Sequence, residues 1–158
     1  MTEPVYTVVY RSYARPPYMD RRTLNAIARE AHGHNERQGI TGLLIFLDGM
    51  FLQILEGTTV ALLELTARIA ADHRNDRLKV LWHANDAPRR FPDWAMGCFD
   101  FSEVSPGRTP LPVELATVIR GDAPWTRPMT DRLARFYEAN RTGGIEPVFT
   151  RMRRIEGS

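Results

Sequence analysis

The stretch that decides the fold, residues 40–57, reads ITGLLIFLDGMFLQILEG. It holds two apolar runs, 40–47 and 50–56, each of a length typical of a buried strand. Only the dipeptide Asp48-Gly49 separates the runs, and both of these residue types tolerate the positive φ that a two-residue hairpin turn requires. The stretch therefore predicts two strands paired antiparallel.

A strand and a helix are predicted before this hairpin. The sequence from Val5 to Ser12 alternates as a strand does, and the next apolar residues recur at helical spacing until about Gln38, where Gly39 is placed to end the helix. The strand residues that share one face are Tyr6, Val8, Tyr10 and Ser12. The apolar positions of the helix are Leu24, Ile27, Ala28 and Ala31.

After the hairpin, Thr58 or Thr59 can cap a second helix that runs to about Asp72. Further strands are predicted at 78–84 and, shorter, at 97–101. Two short helical segments between prolines follow, at about 112–121 and 129–140. Their apolar residues can pack on the sheet or meet a partner; they are Leu115, Val118, Ile119, Leu133, Phe136 and Tyr137.

The order β-α-β-β-α-β predicts an α+β fold, the ferredoxin-like sandwich, in which two helices cover one face of a mixed sheet and a fifth strand extends it. With 158 residues the chain has room for one such domain and an appendage. We place the domain at residues 1–102. Residues 103–158 form a C-terminal helical extension with a basic tail, and they are not an independent domain.

The composition indicates a soluble globular protein, with 43% apolar and 25% charged residues. The N-terminus lacks the apolar run of a secretory signal, no stretch is long enough for a membrane span, and one cysteine cannot form an internal disulfide, so we expect a cytoplasmic protein. The formal charge of +2 does not by itself favour nucleic acid.

Polar residues occupy several positions where the pattern calls for apolar ones. The buried stripe of the first helix continues to His34 and Asn35, and Gln53 stands between Phe51 and Leu55 in the third strand. A buried amide without partners costs about 1–3 kcal/mol, so these amides must bond to backbone, water or a ligand. A wetted helix end for Asn35 and a satisfied core amide for Gln53 are the plain alternatives.

The second helix offers one more polar pair. Arg68 and Asp72 are four residues apart and can pair on one helical face. Such a pair is usually a solvated ion pair of small energetic weight. Beside a planar heterocycle it could instead present a donor fork and an acceptor to the ring edge.

Four separated motifs follow one another along the chain: Val9-Tyr10-Arg11-Ser12, His34-Asn35 through Gly39-Ile40-Thr41-Gly42, Phe51-Leu52-Gln53-Ile54-Leu55-Glu56-Gly57 and Phe91-Pro92-Asp93-Trp94-Ala95-Met96-Gly97. In order and in spacing, these motifs resemble the family of blue-light sensors that use FAD (BLUF). The resemblance covers about residues 4–102.

The resemblance implies noncovalent FAD with its ring system between the two helices, and an electron and proton donated by Tyr10 in the light. The hydrogen bonds of the Gln53 amide would rearrange, by rotation or tautomerisation of the amide. This lasting rearrangement would shift the flavin absorption to the red. Trp94 and Met96 would lie near Gln53, and the arrangement of these two is left open. Ser12 completes the photoactive set. The cofactor-binding residues implied are Asn35, His34, Ile27, Phe51, Arg68, Ile69, Asp72 and Arg74.

The sequence departs from the family pattern where His73-Arg74-Asn75 follows the second helix, which leaves contacts to the ribose or phosphates open. We expect no enzyme activity and no metal site. Output would pass through the C-terminal helices to a protein partner or an oligomer.

Two rival functions stay open at this point. The first is a nucleic-acid-binding module without flavin. It is the weaker reading, because the face expected to be exposed on the first strand offers Val5, Thr7 and Val9 rather than stacking aromatics. The second is a flavin sensor in which Cys98 forms an adduct, whereas the plain reading of Cys98 is a small buried residue.

Overall fold

A computed structural model of the chain describes residues 5–18, 20–92, 96–100, 117, 119–121 and 124–140. Its strands are β1 (Val5–Ala14), β2 (Thr41–Leu47), β3 (Met50–Gly57), β4 (Asn75–Ala87) and β5 (Gly97–Asp100). Its helices are α1 (Arg21–Gln38), α2 (Thr59–Ala71) and α3 (Arg127–Asn140). Thr117, Ile119 and Arg120 are also helical.

The strands form one five-stranded sheet in the order β4-β1-β3-β2-β5. β1 pairs antiparallel with β3 and β4, β2 pairs antiparallel with β3, and β5 joins the far edge parallel to β2. The predicted mixed sheet of a ferredoxin-like sandwich is confirmed. β4 is longer than the predicted 78–84, because its pairing with β1 extends beyond both ends of that apolar run.

The hairpin and the helix ends follow the local chemistry. Asp48 and Gly49 adopt φ of 51° and 76° at the β2–β3 turn, and Gly39 ends α1 in the left-handed region at φ 68°. The Thr58 side chain caps α2 by accepting from the Ala61 N–H at 3.2 Å. These three predictions are confirmed.

The sheet buries side chains on both faces. α1 and α2 cover the face that carries Val8, Tyr10, Leu44, Phe51 and Leu55. We call it the pocket face. Cys98 is fully buried in the same cluster, in agreement with its interpretation as a small buried residue.

The opposite face, which we call the far face, is covered by α3 and by the residues before it. Val9, Leu43, Ile45, Leu52 and Ile54 of the sheet lie in one cluster whose other members are Met50, Leu47, Phe91, Ile119, Trp125, Leu133 and Tyr137. Of the six apolar residues predicted on the C-terminal segments, Ile119, Leu133 and Tyr137 are buried here, and Phe136 packs against the cluster. Leu115 and Val118 lie outside the described residues.

One sequence-based expectation about this face is wrong. Val5, Thr7 and Val9 were expected to be exposed, yet they are 8%, 0% and 0% exposed. The alternation along β1 is as predicted, but a second layer that includes Phe91, Ile119, Trp125 and α3 covers this side of the sheet. A sheet face buried in this way is not available to stack bases.

Candidate functional site

A pocket opens between α1 and α2 above the middle of the sheet. The sheet supplies its floor, α1 and α2 supply its walls, and the loop after α2 closes one end. The lining residues are Tyr10, Ser12, Ile27, Glu30, Ala31, His34, Asn35, Leu44, Phe51, Gln53, Leu65, Arg68, Ile69, Asp72, Arg74 and Asn75.

Tyr10 and Gln53 face each other on the floor of the pocket. They are direct partners in the antiparallel register of β1 and β3, and the Tyr10 hydroxyl donates a hydrogen bond to Gln53 Oε1. Tyr10 is 1% exposed and Gln53 is 5% exposed. Adjacent central strands therefore hold a phenol and an amide in contact, away from bulk water.

The Gln53 amide has a second neighbour in Met96, which stands immediately before β5. Gln53 Nε2 lies 3.7 Å from the Met96 sulfur, and Met96 is fully buried. A thioether is a weak acceptor, so it can be exchanged for another partner at small cost. The amide is thus held firmly at its oxygen and weakly at its nitrogen. Trp94 lies outside the described residues.

Burial keeps the Tyr10 phenol protonated. Desolvation raises the pKa of Tyr10 well above its ordinary value near 10, and the negative charge of Asp72 adds to the rise. A neutral phenol is the form that can donate its proton to the amide oxygen. Loss of that proton at neutral pH requires a driving force from outside the resting protein.

The pocket walls combine apolar surface with polar groups at one edge. Ile27, Phe51, Leu65 and Ile69 supply flat apolar contacts, while Asn35, which is fully buried in the last turn of α1, presents an amide to the cavity. A planar ring system with polar atoms along one edge suits such a lining.

Arg68 and Asp72 line the pocket but do not pair as expected. The Arg68 guanidinium instead reaches His34, with Nη1 2.6 Å from Nδ1. Burial and the charges of Arg68 and Arg37 lower the pKa of His34, so the imidazole stays neutral and can accept this bond. Arg68 therefore pairs with His34 of the neighbouring helix α1 rather than with Asp72, four residues further along α2.

Asp72 is engaged by Arg74 beyond the end of α2. Arg74 Nη2 lies 2.6 Å from Asp72 Oδ2 and 2.7 Å from Glu30 Oε2, so one guanidinium joins α2 to α1. Hydrogen bonds from Arg74 lower the pKa of Asp72. The residue that departs from the family pattern is therefore a cross-link at the end of the pocket.

The structure brings together every described residue that the sequence singled out for this site, with Met96 touching the pocket through Gln53. Five further residues line the pocket although the sequence did not single them out for the site: Glu30, Ala31, Leu44, Leu65 and Asn75. Glu30 and Ala31 share the helical face of Ile27 and His34, so the spacing of α1 could have identified them. Asn75 is placed by tertiary contact, with Nδ2 3.0 Å from the Ile69 carbonyl, and no local pattern marks it.

Residues 5–97, more than half of the chain, match the family model described as sensors of blue light using FAD. The beta subunit of a photoactivated adenylate cyclase from Euglena gracilis is 37% identical over 91 residues, which are 57% of this chain and 10% of that relative. The alpha subunit is 41% identical over 69 residues, 44% of this chain and 7% of the relative. The chain thus matches only a small part of each cyclase subunit.

Solved structures agree with this match. The dark state of the BLUF protein BlrB is 33% identical, with a TM-score of 0.55 over 61% of this chain and 72% of BlrB. BlrP1 from Klebsiella pneumoniae, solved with manganese and cyclic diGMP, is 31% identical with a TM-score of 0.61 over 85% of this chain and 32% of BlrP1. The fold and the match of residues 5–97 to the family model lead to one conclusion: this chain belongs to the BLUF family of blue-light-sensing flavin domains.

Proposed function

We propose that the protein is a blue-light receptor that holds FAD in the pocket between α1 and α2 and reports light through the Tyr10–Gln53 hydrogen bond. The observation that carries this proposal is the buried phenol in direct contact with a buried amide, at the floor of a pocket whose walls suit a planar ring. The proposal leaves this chain without an enzymatic reaction of its own.

Each part of the lining has a role in this proposal. Asn35 would bind polar atoms of the ring edge, and Arg68, with His34 holding it, would supply a donor fork beside it. Ile27, Phe51 and Ile69 would contact the ring faces. Asp72 and Arg74 would close the end of the slot, and Ser12 would line the floor beside Tyr10. Trp94 remains a predicted member of the photoactive set.

A bound flavin would supply the absorption of blue light and an acceptor for one electron. Tyr10 would give that electron and then its proton, and the Gln53 amide, which accepts from the Tyr10 hydroxyl, would relay the proton. After both return, Gln53 would keep a rearranged set of hydrogen bonds, because the Met96 sulfur beside its nitrogen is a weak acceptor that is easily exchanged. A changed amide with an unchanged ring oxidation level predicts a small red shift rather than bleaching.

The direct test is an absorption spectrum of the purified protein before and after blue light, with the released flavin identified by chromatography. We expect bound FAD and a small, reversible red shift. Bound flavin with an unaltered spectrum, or a pocket that takes up no flavin, would refute the proposal. Bleaching of the flavin band would point instead to an adduct at Cys98.

A matched pair of tyrosine variants assigns the response to the pocket. Tyr10→Phe should keep the flavin and lose the red shift completely, because phenylalanine fills the same volume without a hydroxyl. Tyr13→Phe is the control, since Tyr13 packs on the far face with the Arg77 guanidinium 3.9 Å from its ring centre. A normal red shift in Tyr10→Phe would remove Tyr10 from this role.

No helix in the described part of the chain is long and apolar enough to cross a membrane. We propose that output passes through the C-terminal helices to a protein partner or to a second copy of the chain. The burial of Ile119, Leu133 and Tyr137 against the far face supports this route, because it places those segments on the same strands that carry Tyr10 and Gln53.

A further inference from the structure

Arg11 is a buried cation that the proposed light reaction does not use. It follows Tyr10 in β1, so its side chain leaves the strand toward the far face while the phenol enters the pocket. Arg11 is 6% exposed. Burying a guanidinium is costly unless its donors are bonded, so its acceptors must fix its position closely.

Two of those acceptors are backbone carbonyls on the far face. Arg11 Nη1 lies 2.9 Å from the Ile119 carbonyl oxygen and 2.6 Å from that of Gly121. The Gly121 N–H in turn donates to the Thr117 carbonyl at 2.9 Å, which closes a helical turn there. Arg11 therefore caps the C-terminal end of a helical turn, where a cation is favoured by the exposed carbonyls.

The backbone around Arg11 pairs more regularly with β3 than with β4. The register of β1 with β3 is unbroken from Tyr6 to Tyr13, so Tyr10 lies opposite Gln53 and Arg11 opposite Leu52. The register of β1 with β4 shifts between Val9 and Tyr10 and again between Arg11 and Tyr13. Irregular pairing of this kind bends a strand and re-aims its side chains.

From this placement we infer that Arg11 is the positioning residue that transmits the state of the Tyr10–Gln53 pair to the helical turn that the Gly121–Thr117 hydrogen bond closes. A small displacement of Tyr10 relative to β3 also moves the adjacent Arg11. Both residues lie in the segment of β1 whose pairing with β4 is irregular. Hydrogen bonds weaken steeply when donor and acceptor are misaligned, whereas the apolar packing of Ile119 has no comparable directionality. The hydrogen bonds from the Arg11 guanidinium to the two carbonyls are thus the contacts that weaken when Arg11 is displaced. This inference rests on the proposed light reaction.

The test measures amide hydrogen exchange by NMR on the flavin-loaded full chain, in the dark and under continuous blue light. The reporter is the Gly121 N–H, and the Ile54 N–H of β3 serves as an internal reference. In the unmodified protein we expect light to accelerate exchange at Gly121 by roughly threefold or more, with Ile54 unchanged.

Three variants separate the roles of charge and position. Arg11→Gln should retain the red shift, exchange Gly121 rapidly already in the dark, and show no further acceleration in the light. Arg11→Lys keeps the charge but presents a single ammonium instead of a planar fork, so it should retain part of the response, and it carries the test if Arg11→Gln fails to fold. Arg120→Gln is the matched control, because Arg120 lies in the same turn and makes an exposed ion pair with Asp48 at 2.8 Å.

The outcomes distinguish this inference from the proposed function. Absence of a red shift in the unmodified protein refutes the light reaction itself. A normal red shift with unchanged Gly121 exchange refutes the coupling and leaves the light reaction standing. A light response at Gly121 that survives in Arg11→Gln, or disappears equally in Arg120→Gln, refutes the role of Arg11.

Discussion

The two faces of this sheet bury polar groups in different ways. On the pocket face, Tyr10 and Gln53 bond to each other, and Gln53 also touches Met96. On the far face, Arg11 binds main-chain carbonyls and Glu56 accepts from main-chain N–H groups. Side-chain pairs can exchange partners by rotation, whereas main-chain partners move only when the backbone moves. The Tyr10–Gln53 contact can therefore change by side-chain rotation, whereas the main-chain contacts of Arg11 and Glu56 change only when the backbone moves.

Glu56 shows most clearly how the far face holds. It is fully buried, and its carboxylate accepts from the Arg90 N–H at 2.6 Å, the Phe91 N–H at 2.9 Å and the Thr41 hydroxyl at 3.2 Å. Burial raises the pKa of Glu56, while these hydrogen bonds oppose the rise. Because Glu56 lies three residues after Gln53, the strand that carries the amide also holds residues 90 and 91.

The largest effect we expect is on the far face. Glu56→Ala should lower the free energy of unfolding by about 2–4 kcal/mol, because it leaves two N–H groups and a hydroxyl without their acceptor. Denaturant titration followed by circular dichroism measures this change. Glu36→Ala is the control, since the exposed Glu36 carboxylate lies 3.7 Å from His32 Nδ1 on the same helix. A loss below about 1 kcal/mol in Glu56→Ala would show that the far face is not held in this way.

A smaller effect, confined to the pocket face, is expected for Asn35→Ala. Flavin affinity should fall about tenfold, or 1.4 kcal/mol, through loss of one amide from the ring edge. The main-chain carbonyl of Asn35 still accepts from Ile40 N–H at 2.9 Å, so the helix end should stay intact. Titration of the apoprotein by quenching of flavin fluorescence gives the affinity, with Gln38→Ala, at the exposed end of α1, as the control. Equal affinities would remove Asn35 from the site.

Local sequence patterns were sufficient to predict the pocket face. The alternation of β1, the period of α1 and the Asp48-Gly49 turn determine which side chains face the same side. The resemblance to a known family then selected the candidate site residues among them. Pairings between elements were harder, because they depend on the angle at which helices meet. That is why Arg68 contacts His34 instead of Asp72, and why the cross-link from Arg74 to Glu30 could not be foreseen.

The far face was predicted less well, for a physical reason. A strand that is buried on both sides and a strand with one solvated face differ only in the residues between the obvious apolar ones. In β1 those residues are Val5, Thr7, Val9 and Arg11, a mixture that fits either situation. Val9 packs in one cluster with Ile119, Trp125 and residues of α3, and Arg11 binds the Ile119 carbonyl, contacts that nothing in the β1 sequence specifies.

The smallest effect we expect is a pH dependence of stability, which tests how far burial on the pocket face desolvates Tyr10. Folding raises the pKa of Tyr10 through burial and through the charge of Asp72, so the folded state keeps the phenol proton at a pH where the unfolded chain, with its ordinary value near 10, loses it. The unfolded state then binds fewer protons than the folded state. The stability contributed by Tyr10 is therefore complete below pH 10 and declines as the pH rises above it.

Relative to Tyr10→Phe, the free energy of unfolding of the unmodified protein should fall by about 0.8 kcal/mol between pH 8 and pH 10.5, because only the unmodified chain can ionise residue 10 on unfolding. Urea titrations of both proteins at several pH values give the difference, in which the other titratable groups cancel. A flat difference would mean that the Tyr10 phenol ionises as freely in the fold as in water. A phenol so accessible could not remain the protonated partner of Gln53 on which the pocket face depends.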